Sequence, residues 1–319
     1  MAAGRALRLA GGRVAFALAR LPGAGVVPVG DVAEPHRGWL AALSAAPPDW
    51  AGLGAGVHVM GVLNVTPDSF SDGGKHADAG AAIAAGVAMA RAGAALVDVG
   101  GESTRPGAAP VPPAQEQARV LPVVAGLVAE GVRVCVDTRH AATMTAALAA
   151  GASVINDVSG LAHDPDAVGV VARAGCPVVV MHSRGTPAEM NRLAVYGDIV
   201  GEVAAELAAR RDAAVAGGVA PGAIALDPGI GFAKSGALNL QLLPRLAVLL
   251  GLGHRLVVGV SRKNFIGRLG GGLAPEARDP GSLAAGLLAV MLGASVLRTH
   301  DAAGTVQAIR VWQGLGVVE

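Results

Sequence analysis

The chain has 319 residues and a formal net charge of +1, so no strong field directs it towards nucleic acid or an anionic membrane. Apolar residues make up 52% and aromatic residues 3%, which excludes a disordered chain and a surface that stacks single-stranded bases. The length fits one large domain or two small ones.

The first 56 residues differ from the rest of the chain in their sequence pattern. Residues 1–30 contain arginines and no acidic residue, as a targeting peptide would, but they lack a clean apolar segment followed by a cleavage site. Gly11-Gly12 and Pro22-Gly23 interrupt any helix, and Pro47-Pro48 precedes a glycine-rich stretch. We therefore expect a small folded extension over residues 1–56 and a separate domain over residues 57–319.

From residue 57 onwards, short apolar runs alternate with stretches rich in Ala and Leu that are long enough for one helix each. Eight runs are strand candidates: 57–63, 95–99, 133–136, 153–155, 177–181, 223–226, 256–260 and 295–297. Continuous apolar runs are typical of strands buried on both faces. Eight such units predict an α/β fold, a (β/α)8 TIM barrel, with an open doubly wound sheet as the alternative.

The longest apolar stretch, residues 281–297, approaches the length of a membrane span. Gly293-Ala294 breaks it, and it also contains Ser282, Gly286 and Ser295. It therefore predicts a buried helix, a turn and a strand. Cys135 lies in an apolar run and Cys176 precedes a proline, so both are expected to be buried thiols in a reducing, cytoplasmic compartment.

Polar residues of types that can bind ligands or act in catalysis follow nearly every strand candidate. They include Asn64, Asp137, Asn156, Asp227, Lys263, Arg298 and His300. In a parallel barrel the carboxyl ends of all strands meet at one face, where active sites are built. Polar residues also begin ordinary loops, but loops favour Gly, Ser and Pro over these types.

Seven segments resemble, in order, the signatures of the dihydropteroate synthase family. They are residues 60–74, 101–107, 136–138, 155–157, 226–232, 260–263 and 298–301. The resemblance extends from about residue 57 to residue 314. It implies a transferase of folate biosynthesis that joins a pterin methyl diphosphate to p-aminobenzoate. It also implies a homodimer and inhibition by sulfonamides, which mimic the second substrate.

The resemblance assigns Asp137, Asn156 and Asp227 to the pterin pocket, with Lys263 at the edge of the ring. Carboxylates accept from the N–H groups of such a heterocycle, and an amide can both donate and accept. The alternatives are a helix cap for Asp137 and turn formation for Asn156 and Asp227.

For the diphosphate, the resemblance implies Arg298, His300 and Thr104, with a Mg²⁺ ion bound through the amide oxygen of Asn64. Arginine binds two phosphate oxygens through its fork, and magnesium uses few protein ligands. The alternative for His300 is a bond to Asp301.

For p-aminobenzoate, the resemblance implies a further set of binding residues: Phe70, Thr104, Arg105, Pro106, Phe232, Lys263 and Asn264. The carboxylate of this substrate is expected at a helix N-terminus after Ser261. Asp72 lies in a loop that is expected to close over the site.

The implied mechanism is electrostatic, because the aromatic amine is a weak, neutral nucleophile that needs little base catalysis. Asp137 would stabilise the developing cation, and Lys263, Arg298 and His300 would stabilise the departing anion. Two competing hypotheses keep the pterin pocket: a pterin-dependent methyltransferase, and a binding protein without activity. Residues 229–235 suggest a phosphate loop but lack its glycines.

Overall fold

The computed structural model describes residues 6–21, 25–66, 75–103 and 107–315, and the side chains of residues 75–78 are left out of the description. Phe70, Asp72, Thr104, Arg105 and Pro106 therefore lie outside the described residues, and the predictions made for them stay predictions.

The N-terminal segment forms small elements that pack on the rest of the chain. Strands β1 (Leu7–Arg8) and β2 (Ala15–Phe16) pair antiparallel, as do β3 (Leu18–Leu21) and β4 (Gly25–Pro28). Helix α1 (His36–Ser44) follows and buries Leu40 and Leu43. These leucines belong to the main hydrophobic core, so the segment shares its core with the domain that follows.

Eight parallel strands close into a barrel in chain order. They are β5 (His58–Asn64), β6 (Leu96–Gly100), β7 (Val134–Asp137), β8 (Val154–Asp157), β9 (Val178–Met181), β10 (Ile224–Asp227), β11 (Arg255–Gly259) and β12 (Val296–Thr299). Each coincides with a predicted strand to within about two residues, so the predicted (β/α)8 barrel is confirmed.

Helices connect the strands and cover the outside of the barrel. They are α2 (Lys75–Arg91), α3 (Pro113–Ala129), α4 (Ala141–Ala149), α5 (Ala167–Ala174), α6 (Ile199–Ala216), α7 (Ala237–Leu242), α8 (Asn264–Leu269), α9 (Asp279–Met291) and α10 (Ala302–Leu315). Local chemistry sets several boundaries. Pro113 occupies the first turn of α3, Asp198 caps α6 by accepting from Val200 N, and Gly175 ends α5 with a φ of 59°.

The apolar stretch over residues 281–297 forms most of α9, a turn at Gly293 and the start of β12, as predicted. Within the described ranges, no helix has both the length and the apolar character that crossing a membrane requires.

The lower half of the barrel interior is apolar. Each strand contributes one buried side chain: Met60, Leu96, Cys135, Val154, Val179, Ala225, Val257 and Val296. Trp50 and Leu53 pack against this layer from below, and Trp50 Nε1 donates to Ala223 O at 2.8 Å. Residues just before the predicted boundary at position 56 thus plug the base of the barrel. The division of the chain at residue 56 stays a prediction.

Candidate active site

A polar layer lies above the apolar one inside the barrel. Side chains alternate along a strand, so the residue two positions further on again faces inwards. These inward-facing positions are Val62, Asp98, Asp137, Asn156, Met181, Asp227, Gly259 and Arg298. The register aligns them in pairs, Val62 with Asp98, Asp137 with Asn156, Met181 with Asp227 and Gly259 with Arg298, and each pair is staggered by two residues against the next. The structure therefore brings together Asp137, Asn156, Asp227 and Arg298, as the sequence predicted.

Arg298 joins two aspartates across the floor of this site. Its Nε donates to Asp98 Oδ2 at 2.6 Å and its Nη2 donates to Asp137 Oδ2 at 2.7 Å. Asn156 Nδ2 donates to the same Asp98 oxygen at 3.0 Å. One guanidinium thus holds two carboxylates and, through Asp98, an amide in fixed positions.

The charges in this cluster do not balance, because two carboxylates share one guanidinium. Burial, opposed by Arg298 and assisted by the neighbouring Asp98, raises the pKa of Asp137 to about 8. Burial alone would lower the pKa of Arg298, but Asp98 and Asp137 hold it above its usual value. The arginine stays charged, while Asp137 holds its proton near neutral pH.

Asp227, Phe232 and Lys263 lie together on the adjacent side of the barrel. Asp227 Oδ1 accepts from Gly229 N at 2.6 Å, and burial raises the pKa of its carboxyl while Lys263 opposes that effect. The Lys263 Nζ atom lies 4.3 Å from the centre of the Phe232 ring. Gly231 has a φ of 85°, and a Cβ there would approach Lys263 Cδ to 3.1 Å, so the lysine packs directly on the loop.

The ends of β11 and β12 contribute a second group. Ser261 Oγ lies 2.9 Å from His300 Nδ1 and accepts from His300 N at 3.1 Å. Asn264 begins the six-residue helix α8, and its Oδ1 accepts from Arg278 Nη1 at 3.0 Å. Asn64 ends β5 beside Gly100, at the same face of the barrel.

Comparison with known proteins decides what kind of site this is. The model of the pterin binding enzyme family matches residues 60–300. A dihydropteroate synthase of Mycobacterium leprae is 46% identical over 263 residues, covering 81% of this chain and 93% of that protein. The chain belongs to the dihydropteroate synthase family.

Solved structures of this family match the barrel as a whole. The Xanthomonas albilineans dihydropteroate synthase with 4-aminobenzoic acid is 46% identical, with a TM-score of 0.80, and the match covers 86% of this chain and 99% of that one. The same enzyme in complex with 7,8-dihydropteroate is 45% identical, with a TM-score of 0.75, covering 82% and 95%. The family resemblance read from the motifs is thus confirmed.

Several of the alternative interpretations can be checked against the geometry. Asp137 does not cap a helix, because the N-cap of α4 is His140. Asp227 does make the turn bond expected of an aspartate before Pro-Gly, but only one of its oxygens makes it. The Nδ1 atom of His300 lies within hydrogen-bond distance of Ser261 Oγ.

Sequence reasoning missed Asp98. This residue is fully buried, and its carboxylate is the acceptor shared by Arg298 and Asn156. A signal was present, because Asp98 interrupts the apolar run of β6, and an acid inside a buried strand needs a partner. The residues predicted from the sequence follow strands or end them, whereas Asp98 lies two residues before the end of its strand.

Proposed function

We propose that this site condenses (7,8-dihydropterin-6-yl)methyl diphosphate with p-aminobenzoate, giving 7,8-dihydropteroate and diphosphate. The observation that carries the proposal is the polar interior layer, where Asp137, Asn156 and Asp227 converge at the catalytic face of a dihydropteroate synthase barrel. The chain is accordingly a transferase.

The pterin ring would bind in the barrel mouth, edge-on to the acidic and amide groups. Asp227 keeps one carboxylate oxygen beyond its turn bond, and Asn156 offers an amide oxygen, so the two can receive ring N–H groups and Asn156 Nδ2 stays on Asp98. Lys263 is near enough to Asp227 to oppose the rise in the pKa of its carboxyl that burial causes. Its amine would donate to a ring acceptor at the same edge.

The diphosphate would lie above Arg298 and beside His300. Because the Nε and Nη2 atoms of Arg298 are engaged with aspartates, its first role is to fix Asp137, and its remaining N–H groups are offered to the leaving group. Ser261 fixes the ring of His300 through Nδ1 at this end of the barrel.

A Mg²⁺ ion fits the donor set at this face. Among the described residues, no three His, Cys, Asp or Glu side chains are arranged to hold a metal ion. Magnesium commonly takes only one or two protein oxygens and completes its shell with water and substrate phosphates. We propose Asn64 as the protein ligand. The ion, when bound, would neutralise charge on the departing diphosphate.

p-Aminobenzoate would lie against Phe232 and the side chain of Lys263, with its carboxylate near Asn264 at the start of α8. Phe70, Asp72, Thr104, Arg105 and Pro106 are proposed to complete this pocket. A sulfonamide would compete for the same position, because its aniline ring and acidic group match those of the substrate.

In the proposed mechanism, the amine attacks the exocyclic carbon as the carbon–oxygen bond to diphosphate breaks. Positive charge spreads into the pterin, where ionised Asp137 stabilises it. Arg298, His300 and Lys263 stabilise the negative charge on the leaving oxygen. No strong base is needed, because the product amine loses its proton readily after attack.

The test supplies both substrates with magnesium and measures diphosphate release together with the mass of the product. We expect release only when the two substrates and the metal ion are all present, with loss of activity on chelation and recovery on adding Mg²⁺. Release without p-aminobenzoate, or transfer of a methyl group in its place, would contradict the proposal. The first outcome indicates a hydrolase and the second a methyltransferase.

The assembly proposed is a homodimer formed through α9 and α10. Leu288 and Met291 on α9 are 38% and 43% exposed, and Val311 and Leu315 on α10 are 55% and 77% exposed. Their spacing of three or four residues places each pair on one helix face, and the two helices pack together. In sedimentation, Val311→Glu combined with Leu315→Glu should shift the wild-type dimer to a monomer. A monomeric wild type would exclude this assembly.

The location proposed is the cytoplasm. Cys135 and Cys176 are both buried and free, which suits a reducing compartment. The partners proposed are the two small-molecule substrates alone.

A further inference from the structure

Lys234 is a buried lysine that the proposed chemistry does not use. It lies between β10 and α7, and its exposed fraction is 3%. Only three of the 25 basic residues are lysine, namely Lys75, Lys234 and Lys263. A chain that otherwise uses arginine keeps a lysine at this position, where a compact ammonium differs most from a planar guanidinium.

The Lys234 amine is enclosed by acceptors. Its Nζ atom lies 2.7 Å from His182 Nδ1, 3.1 Å from Gly229 O and 2.9 Å from Phe232 O. His182 O lies 3.4 Å from the same atom, so four acceptors surround an amine that has at most three N–H donors. Burial lowers the pKa of His182 to about 2, so this imidazole is neutral; its Nδ1 accepts from the lysine and its Nε2 donates to Glu206 Oε2 at 3.0 Å.

The backbone around this amine is strained. Gly229, Gly231 and Ala233 have φ values of 64°, 85° and 47°, and alanine rarely adopts the last of these. Tyr196 Oη donates to Ala233 O at 3.0 Å, next to the carbonyl that Lys234 holds. Such a conformation persists only where surrounding contacts enforce it. The lysine and the tyrosine provide those contacts from two sides.

The same turn, residues 229–233, forms one wall of the proposed p-aminobenzoate pocket. The carbonyl oxygen of Phe232 accepts from Lys234, while the ring of Phe232 faces the amine of Lys263. Gly231, inside the same turn, packs against the stem of Lys263. We infer that Lys234 is a positioning residue: by holding the carbonyls of the 229–233 turn, it fixes Phe232 and Lys263 in the geometry that receives p-aminobenzoate. The functional half of this inference rests on the proposed function.

Arginine should not replace this lysine. A guanidinium is too wide for a space bounded by carbonyl oxygens and an imidazole nitrogen. Gly229, on one side of this space, is already packed closely against the backbone of His182. A Cβ on Gly229 would lie 1.9 Å from His182 O. Lys234→Met keeps the length of the side chain and removes the donors, so it is the most informative change.

The kinetic test compares wild type, Lys234→Met and a control of matched instability. Lys234→Met should raise the KM for p-aminobenzoate roughly tenfold or more and change kcat by less than about threefold, since binding geometry and not charge stabilisation is lost. Leu207→Ala, a buried change on α6, controls for general loss of stability and should leave this KM unchanged. If Lys234→Met does not fold, Lys234→Gln, which retains neutral donors, takes its place.

A spectroscopic test is independent of turnover. With three lysines in the chain, ¹³C-lysine labelling should resolve the ε-methylene of Lys263, shifted upfield by the Phe232 ring. We expect Lys234→Met to remove that shift, Tyr196→Phe to reduce it, and Leu207→Ala to preserve it. An unchanged shift in Lys234→Met, or an equal KM increase in Leu207→Ala, would overturn the inference. Absence of turnover in the wild type would instead contradict the proposed function.

Discussion

The site depends at the residue scale on one cation shared by two buried acids. Arg298 binds Asp98 and Asp137 at 2.6 and 2.7 Å, and all three side chains lie at or inside the barrel mouth. Removing either partner from such a group leaves a buried charge without compensation, which is costly. The cluster therefore supports both the geometry of the pocket and its charge.

Asp137 is predicted to be the residue on which turnover depends most. Asp137→Ala should lower kcat by at least about 100-fold, the usual effect of removing a group that stabilises transition-state charge. Asp212→Ala, which removes a 66% exposed carboxylate on α6, is the control and should have no effect. Steady-state diphosphate release measures both. Near-normal turnover of Asp137→Ala would show that the developing cation is stabilised elsewhere.

Asp98 is predicted to set the pH dependence. Burial raises the pKa of Asp137 to about 8, and Asp98 adds to this effect because like charges oppose ionisation. Since the ionised form is proposed to be active, kcat/KM should rise with pH along an acid limb with an apparent pKa near that value. Asp98→Asn removes the neighbouring negative charge, so the pKa of Asp137 should fall. The acid limb of the kcat/KM profile should then move to lower pH by about one unit or more.

The pH profile of kcat/KM, recorded for wild type and Asp98→Asn in the same buffers, gives the comparison. Asparagine retains an oxygen that can accept from Arg298 and Asn156, so the fold should persist. A limb that does not move, or that moves to higher pH, would mean that the acid pair does not control activity.

The element scale is best illustrated by the turn after β10. Gly229 has a φ of 64°, and a Cβ there would lie 1.9 Å from His182 O, a backbone atom that cannot move cheaply. The turn therefore requires glycine for two reasons, its backbone conformation and the close approach of β9. Asp227, two residues earlier, fixes the turn by accepting from Gly229 N.

Gly229→Ala should lower the free energy of unfolding by about 1–3 kcal/mol or more, since a strained left-handed residue is added to a steric clash. Gly222→Ala is the matched control, because its Cβ would meet no atom within 4 Å. Urea denaturation of the two variants provides the measurement. Equal stability of both would show that the turn can relax away from β9.

The elements themselves were predictable from the sequence to a large extent. Each of the eight barrel strands is buried on both faces, so each appears as a continuous apolar run. Strand β11 begins one residue earlier than predicted, at Arg255, because this arginine is buried and donates to the carbonyl oxygens of Pro48, Leu53 and Gly54. A charged residue cannot be recognised as part of a strand before its partners are known.

The whole molecule is a barrel with a polar mouth and a plugged base. Trp50 is 2% exposed beneath the apolar layer, and its indole donates to Ala223 O. The groups proposed to be catalytic lie at the opposite end, so the two ends are expected to have separate tasks. This division between stability and chemistry is general for such barrels.

Trp50→Ala is predicted to test that division. The change should lower the free energy of unfolding by about 3–5 kcal/mol, as large core truncations do. It should leave the KM for both substrates within about twofold below the melting transition, because the plug contacts no catalytic group. Trp50→Phe isolates the indole hydrogen bond and should cost only about 0.5–1.5 kcal/mol. A raised KM at low temperature would mean that the base and the mouth are coupled.

The sequence alone determined the family, the barrel and most of the residues proposed for the site, because motifs at strand ends must converge when parallel strands close. Tertiary structure alone decided the contacts between strands far apart in the chain. Asp98 and Arg298 are separated by 200 residues, and no local pattern records that β12 returns to lie beside β5 and sends its guanidinium across to β6 and β7. The role proposed for Lys234 has the same origin, since its partners His182 and Phe232 come together only after β9 and β10 have paired.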